Sequence, residues 1–426
     1  MGMNRPRRRI VLGVLLLLLP MLLGFSPPHA SGKGETLQAG QQTLSPCKDY
    51  PRLWCGTLAV PLDRDDPSGG TIKIGFAWRP AERKSRGTLV ANEGGPGYPS
   101  ITSYALWRGI FKPLLKDHDL LMVDARGAGL SRPIVCKALQ DFDEAQTDDE
   151  FHQAIEDCGR QLDTSFKRKN GEFVHASDLF GAVDAVDDMA AVIGALKAGP
   201  VDLYGDSYGS FFAQAFAARH PNLLRSVVLD GTWPLVDADP WYPETPRTLR
   251  FAFDAVCQRS AACRAAAPGS ATERLGLLAD ELEDAPISGD VPLSGGASAS
   301  VTVAATDIAA LAWSAGSDGG IYCDLDAAGR AARDGDPLPL LRLAARTGLN
   351  GSLSGGWPAS AYSVGHAVAV PCTDYPQMYD MTAPSEERTR QFESAAAALP
   401  ADFFAPFALP QWLQNPIQDY LSLIHI

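Results

Sequence analysis

Val201-Asp202-Leu203-Tyr204-Gly205-Asp206-Ser207-Tyr208-Gly209 runs an apolar-leaning strand into Gly-x-Ser-x-Gly, and a helical pattern follows from Ser210 to His220. A serine on a sharp strand-to-helix turn is held in strained backbone geometry with its hydroxyl clear of the sheet edge. Small residues two before and two after it let the turn close. The pentapeptide alone is a weak signal in a chain with 40 glycines. Its context, strand before and helix after, makes Ser207 the expected nucleophile rather than part of an ordinary Gly/Ser turn.

Outward from this turn, strand-like and helix-like runs alternate from Thr71 to about Thr232, the signature of a parallel α/β sheet. Thr71–Ala77, Thr88–Asn92, Asp119–Asp124 and Leu224–Asp230 read as strands. Ser177–Lys197 places Leu179, Val183, Val186, Met189, Ala190, Ile193 and Leu196 at helical spacing. Beyond Trp233 the chain turns alanine-rich and helical in places (Asp307–Ala315, Asp324–Arg333, Pro384–Leu399), with Gly/Ser/Pro-rich stretches at Ser288–Ser300 and Asn350–Pro358. The expected organisation is an α/β core at 31–234 and a large, mainly helical lid at 235–415.

Two further motifs fall at strand ends. Asn92-Glu93-Gly94-Gly95-Pro96-Gly97 follows the Thr88–Asn92 strand. Acyl transfer builds negative charge on the carbonyl oxygen, so preorganised N–H donors must point at it. Gly95 and the amide of Tyr208 are the expected pair; a tight Gly/Pro turn with no ligand is the alternative. The second motif is Asp124-Ala125-Arg126-Gly127-Ala128-Gly129-Leu130-Ser131. It lacks the third glycine and following helix of a dinucleotide loop. A structural role is expected, with Asp124 and Arg126 pairing to pin the loops beside the nucleophile.

With these motifs the sequence resembles the prolyl aminopeptidase family of α/β-hydrolases, through Gly-Gly-Pro-Gly, Asp-x-Arg-Gly-x-Gly-x-Ser and Gly-Asp-Ser-Tyr-Gly. It is similar in particular to the secreted actinobacterial tripeptidyl aminopeptidases. Cys55-Gly-Thr-Leu-Ala-Val-Pro-Leu-Asp63, His220-Pro221 and Leu229-Asp230-Gly231 carry that likeness, with a looser match at Ala369-Val370-Pro371-Cys372-Thr373-Asp374. The resemblance covers about residues 45–235. It implies an α/β-hydrolase sheet, mostly parallel, with the lid inserted after the strand that follows the nucleophile, and cleavage of short peptides from a free N-terminus. Close relatives include esterases.

Ser207 needs a histidine base and an orienting carboxylate, in the chain order Ser, Asp or Glu, His. Neither partner is found where the family places it. His29 leaves with the leader; His118, His152 and His175 precede the nucleophile. His220 sits at a helix C-terminus, where the dipole favours a cation, and reads as a cap. His366 is the best remaining candidate base. His425 lies in a tail, 416–426, that looks foreign to the family pattern. The expectation is a chain truncated at its C-terminus, without the last core strands and the catalytic Asp and His they carry. Glu244 and Asp374 are candidates for binding a substrate amine, with a solvated surface role as the alternative for each.

Composition sets the compartment. Arg5, Arg7, Arg8 and Arg9 precede an apolar run from Ile10 to Phe25, and Pro28-His29-Ala30 offers a cleavage point. Residues 1–30 therefore read as a signal peptide; no membrane insertion is expected once it is removed. The formal charge goes from −13 to −17 when its four arginines leave, which disfavours nucleic acid as a partner. Eight cysteines read as disulfides rather than metal ligands. Pairing near neighbours gives Cys47–Cys55, Cys136–Cys158, Cys257–Cys263 and Cys323–Cys372. No cofactor and no metal are implied. The reading is a secreted serine hydrolase that releases di- or tripeptides, with a secreted carboxylesterase or a non-catalytic binding protein as alternatives.

Overall fold

The computed structural model describes residues 34–412 except 67–68, 143–147, 237, 267–268, 293–297 and 348–355. The leader at 1–30, the tail at 416–426 and the side chain of His152 lie outside the described residues. The sheet and helices belong to the unit from Thr36 onward.

An eight-stranded sheet carries the fold. Its strands are β1 (Leu37–Ala39), β2 (Gln42–Pro46), β3 (Trp54–Pro61), β4 (Thr71–Arg79), β5 (Thr88–Asn92) and β6 (Asp119–Val123). A two-strand ribbon, β7 (Phe166–Lys167) with β8 (Phe173–Val174), precedes the last two, β9 (Val201–Asp206) and β10 (Leu224–Asp230). The spatial order is β1-β2-β3-β4-β6-β5-β9-β10. The site-bearing half, β6-β5-β9-β10, is parallel. The N-terminal strands join it antiparallel.

Alternation along the parallel strands splits the core into two layers. Val90, Leu121, Val123 and Leu203 face a cluster with Val186, Met189, Ile193, Phe212 and Phe216. Leu89, Ala91, Leu120 and Met122 face the other way, onto Trp107, Phe111 and Leu115. The span Ser177–Lys197 divides at Gly181 into Ala176–Leu179 and Ala182–Leu196. The helix restarts at Gly181, and its buried stripe becomes Ala182, Ala185, Val186, Met189, Val192, Ile193 and Leu196. Val183 therefore points outward, 56% exposed. At the other side of the sheet β10 is an edge strand among the described residues, with Val228 and Leu229 exposed.

The residues after β10 have two destinations. Helices Glu244–Arg259, Ala271–Asp284, Ala305–Ser314, Ile321–Arg333 and Leu338–Thr347 build a core of their own around Phe253, Leu278, Ile308, Leu311, Leu325 and Leu340. The Gly/Ser/Pro-rich Ser288–Ser300 stretch contributes to an antiparallel ribbon in that body, β11 (Ile287–Pro292) with β12 (Ser298–Val303). Helices Val364–Asp374 and Ser385–Ala397 instead return to the sheet's core through Val364, Val368, Ala369, Val370 and Phe392.

Three expected disulfides form, Cys47–Cys55, Cys136–Cys158 and Cys257–Cys263. The fourth does not: Cys323 and Cys372 are free thiols. They lie on helices belonging to different bodies, Cys323 in Ile321–Arg333 and Cys372 in Val364–Asp374. Sequence proximity was the wrong criterion for that pair.

The expected Asp124–Arg126 pair is also replaced. Arg126 is fully buried and donates to Asp188 at 2.7 and 2.9 Å and to the carbonyls of Leu62 and Leu179 at 2.9 and 2.8 Å. It thereby ties β3's exit, the loop after β6 and the Ala182–Leu196 helix together. Removing one member of a buried pair strands the other charge, at roughly 3–5 kcal/mol. Arg126→Met is accordingly expected to lower the midpoint of thermal unfolding by several degrees, read by differential scanning calorimetry.

Candidate active site

Ser207 sits between β9 and the helix Tyr208–Arg219 with φ 51° and ψ −124°. An L-residue held there costs about 1–3 kcal/mol, and surrounding contacts must impose it. They are identifiable. The Ser207 N–H donates to the Asp230 carbonyl at 2.8 Å, so the end of β10 holds the turn from one side. The Ser210 N–H donates to the Ser207 carbonyl at 2.9 Å, and so does the Ser210 hydroxyl at 2.6 Å. That hydroxyl in turn accepts from the Trp233 N–H at 2.9 Å. The Ser207 side chain remains exposed.

Two glycines leave no space for a side chain. A Cβ on Gly205 would stand 2.0 Å from the Gly209 carbonyl oxygen, and one on Gly209 would stand 2.5 Å from that of Asn92. The second contact brings the Asn92–Gly97 loop against Ser207. A Cβ on Gly94 would lie 2.8 Å from the Ser207 Cβ and 3.3 Å from its Oγ. Gly95 and Gly97 have φ of 116° and 115°, which only glycine takes at little cost. Tyr208, as the first helical residue, has an N–H without an intrahelical acceptor. The loop and the helix N-terminus thus meet at Ser207.

The carboxylate of Asp124 organises the neighbouring loop. It accepts from the N–H of Ile101 at 3.0 Å and of Leu130 at 2.9 Å. Ser131 donates its hydroxyl to the Asp124 carbonyl and accepts from the Gly75 N–H, both at 2.8 Å. Burial raises Asp124 to about 7 against these N–H donors.

Three further carboxylates surround the elbow and were not singled out from sequence, although each lies inside a quoted motif. Burial raises Glu93 and Asp206 above the ordinary carboxylate range. Asp230 accepts from the Tyr204 hydroxyl at 2.6 Å. Their signal was available in Asn-Glu-Gly-Gly, Gly-Asp-Ser and Leu-Asp-Gly, where an acid adjoins a residue with a site role. The three are neighbours electrostatically: after burial, the charge of Asp206 helps raise Glu93 and that of Asp230 helps raise Asp206.

Asp374 is not free to bind an amine. Both its oxygens accept from the Ala182 N–H at 3.0 and 2.9 Å, and Oδ2 accepts from the Tyr208 hydroxyl at 2.8 Å. Glu244 is exposed and paired with Arg247 one helical turn on. His220 caps the Tyr208–Arg219 helix, its Nε2 at 2.6 Å from Asp187. His118 and His175 sit against Asp117 and Asp163. His366 is buried, and neither ring nitrogen has a hydrogen-bond partner. It lines a small cavity with Glu93, Gly94, Gly97 and Tyr208. Burial lowers its pKa to about 4, so it is neutral at pH 7 and a weak base. None of these four histidines is hydrogen-bonded to the Ser207 hydroxyl. Among the described residues no group of three or more His, Cys, Asp or Glu side chains could hold a metal ion, and no helix is long and apolar enough to cross a membrane.

Residues 87–262 match the family model of the alpha/beta hydrolase fold. The chain carries the α/β-hydrolase fold. Curated relatives include the serine protease Hip1 of Mycobacterium tuberculosis, 32% identical over 248 residues, which span 54% of this chain and 46% of Hip1. Carboxylesterase B of the same organism is 27% identical over 40% of this chain and 38% of its own. The tripeptidyl aminopeptidase of Streptomyces coelicolor is 28% identical over 42% and 35%. The chain therefore spans less than half the length of these relatives.

The elbow and its loop carry two expected outcomes. Gly205→Ala and Gly209→Ala each force backbone apart and are expected to destabilise by about 2 kcal/mol or more, beyond the ordinary centre near 1, measured by urea denaturation. For Asp124, the folded value lies above the unfolded one, so the folded state keeps a proton that the unfolded chain has released between about pH 4 and 7. Its contribution to stability therefore falls as pH rises through that window. Asp124→Asn is expected to flatten this part of the stability–pH curve, leaving the slope from Asp184 and Asp374, both raised to about 6.

Proposed function

We propose that this chain bears the nucleophile of a secreted serine hydrolase that releases di- or tripeptides from peptide N-termini through an acyl-enzyme on Ser207. The observation that carries the reading is the backbone of Ser207: a non-glycine residue at φ 51° on a strand-to-helix turn, with a glycine loop packed on its side chain. Strain of that kind is kept where it presents a reacting group. In the proposed reaction the Ser207 hydroxyl attacks the acyl carbon while a histidine takes its proton; none of the described histidines is bonded to that hydroxyl, and the base is the one the family pattern places after this stretch. The oxyanion that forms is met by the N–H groups of Gly95 and Tyr208.

Acidic side chains grouped beside the turn support a cationic amine rather than an anionic group as the substrate's terminus. Glu93, Asp206 and Asp230 are those acids, and a free peptide N-terminus is the group of opposite charge. Disulfides fit an oxidising compartment and support export. The second reading, a secreted carboxylesterase, is favoured by the 27% identity to carboxylesterase B, since esters and peptides share the attack and the oxyanion.

This chain by itself is expected to be inactive for want of the catalytic Asp and His, so the experiment is a three-substrate comparison on the protein restored through those two residues: a tripeptide amide with a free amine, its acetylated form, and a short acyl ester. The expected result is Ser207-dependent cleavage of the free amide. Acetylation is expected to slow it about tenfold or more, the scale of one charge-assisted hydrogen bond, and Ser207→Ala to reduce it at least about a thousandfold. Hydrolysis of the ester alone would move the assignment to esterase. No Ser207-dependent turnover of any of the three would leave a binding protein.

A further inference from the structure

One helix, with the residue that precedes it, touches both the glycine loop and the side chain of Tyr208. The segment leading into Val364–Asp374 meets the glycine loop: the Ser363 N–H donates to the Gly97 carbonyl at 3.0 Å. A Cβ on Gly97 would stand 2.8 Å from the Ser363 carbonyl oxygen, so loop and helix start are in direct backbone contact. Ser363 is itself pinned, donating its hydroxyl to the Ile134 carbonyl at 2.8 Å and accepting from the His366 N–H at 3.1 Å. Gln140 accepts from the Val364 N–H at 3.2 Å and donates to the Tyr362 carbonyl at 3.0 Å. One turn in, His366 lines the cavity beneath Gly94 and Gly97.

The far end of the same helix holds the other donor. Asp374 receives the Tyr208 hydroxyl at 2.8 Å and the Ala182 N–H at 2.9 and 3.0 Å. Tyr208 is 5% exposed, its ring stacked on Phe211 at 5.8 Å between centroids. A Cβ on Gly181 would come within 2.8 Å of Asp374 Oδ1, so the approach of the carboxylate to the Ala182–Leu196 helix depends on that glycine. A side chain anchored at its tip and packed along its ring constrains the rotation of its own peptide plane. The N–H of that plane is the one aimed at the oxyanion.

We propose that the Val364–Asp374 helix braces the oxyanion hole, with Asp374 the positioning residue for the Tyr208 amide. This rests on the assignment of the Gly95 and Tyr208 amides as donors. Asp374 touches no reacting atom and acts through the phenol of Tyr208. Because donors matter most where charge develops, losing the brace lowers the rate of the chemical step more than it weakens substrate binding.

The decisive variant is Tyr208→Phe. It removes the hydroxyl and leaves the Asp374–Ala182 contact in place, so it separates bracing from mere helix capping. Asp374→Ala removes both contacts, and Asp374→Asn retains one acceptor oxygen. Hydrogen–deuterium exchange by mass spectrometry on the full chain reads the brace without requiring turnover. In Tyr208→Phe, exchange across 206–212 is expected to quicken about fivefold or more while 181–186 stays as in the unsubstituted protein. Asp374→Ala quickens both, and Asp374→Asn falls between. Unchanged exchange at 206–212 in Tyr208→Phe overturns the proposal. On the free tripeptide amide, kcat of Tyr208→Phe in the restored protein is expected to fall about tenfold with KM within about twofold; an unchanged kcat also overturns it. Absence of Ser207-dependent turnover in the restored, unsubstituted protein overturns the peptidase reading instead, and leaves the exchange experiment to decide the brace.

Discussion

Everything at the candidate site depends on one backbone constraint, the left-handed conformation forced on Ser207. A serine does not rest there by preference; it is held by hydrogen bonds from both sides and by glycines that let neighbouring backbone approach. The β10 carbonyl of Asp230 takes its N–H, and Ser210 closes on its carbonyl. Gly205 and Gly209 allow the turn to close to a distance no side chain would permit. The cost is met by the parallel strands on either side, because β5 and β10 both pair with β9 and fix where it must end.

From that point the site is assembled by contributions distant in sequence. The glycine loop after β5 is pressed onto Ser207, and the loop after β6 is organised by Asp124 through backbone N–H donors. The Arg126–Asp188 pair locks those loops to the Ala182–Leu196 helix. The Val364–Asp374 helix then returns from beyond the second hydrophobic body to touch both loop and elbow. A carboxylate serves a different purpose at each place. Asp188 neutralises a guanidinium, Asp124 gathers amides, and Asp374 caps one helix while holding a phenol at the start of another.

Much of this was legible residue by residue. The strands at Thr88–Asn92, Val201–Asp206 and Leu224–Asp230, the elbow and the glycine loop all rest on local pattern: apolar runs of strand length followed by glycines at fixed offsets. His220 as a helix cap was equally local. The failures concern partners. Asp124 and Arg126 lie two apart and looked like a pair, yet side chains leaving a strand end diverge, and each found its partner elsewhere. Cys323 and Cys372 were matched by proximity along the chain, but their helices belong to different hydrophobic bodies. Asp374 looked like a surface acid because nothing local shows that Ala182 and Tyr208 converge on it.

The sequence by itself placed Ser207 on a strand-to-helix turn, the glycine loop after β5 and the alternation of strands and helices around them, because these follow from short-range geometry. Period-two burial, glycine's access to positive φ and the strand-to-helix turn all act within a few residues. Only the tertiary structure decided which acids surround Ser207, that His366 is buried and unpartnered, and that a helix some 160 residues downstream lies against the elbow. Those outcomes depend on which distant surfaces exclude water together, and long-range packing of that kind leaves no periodic trace in the chain.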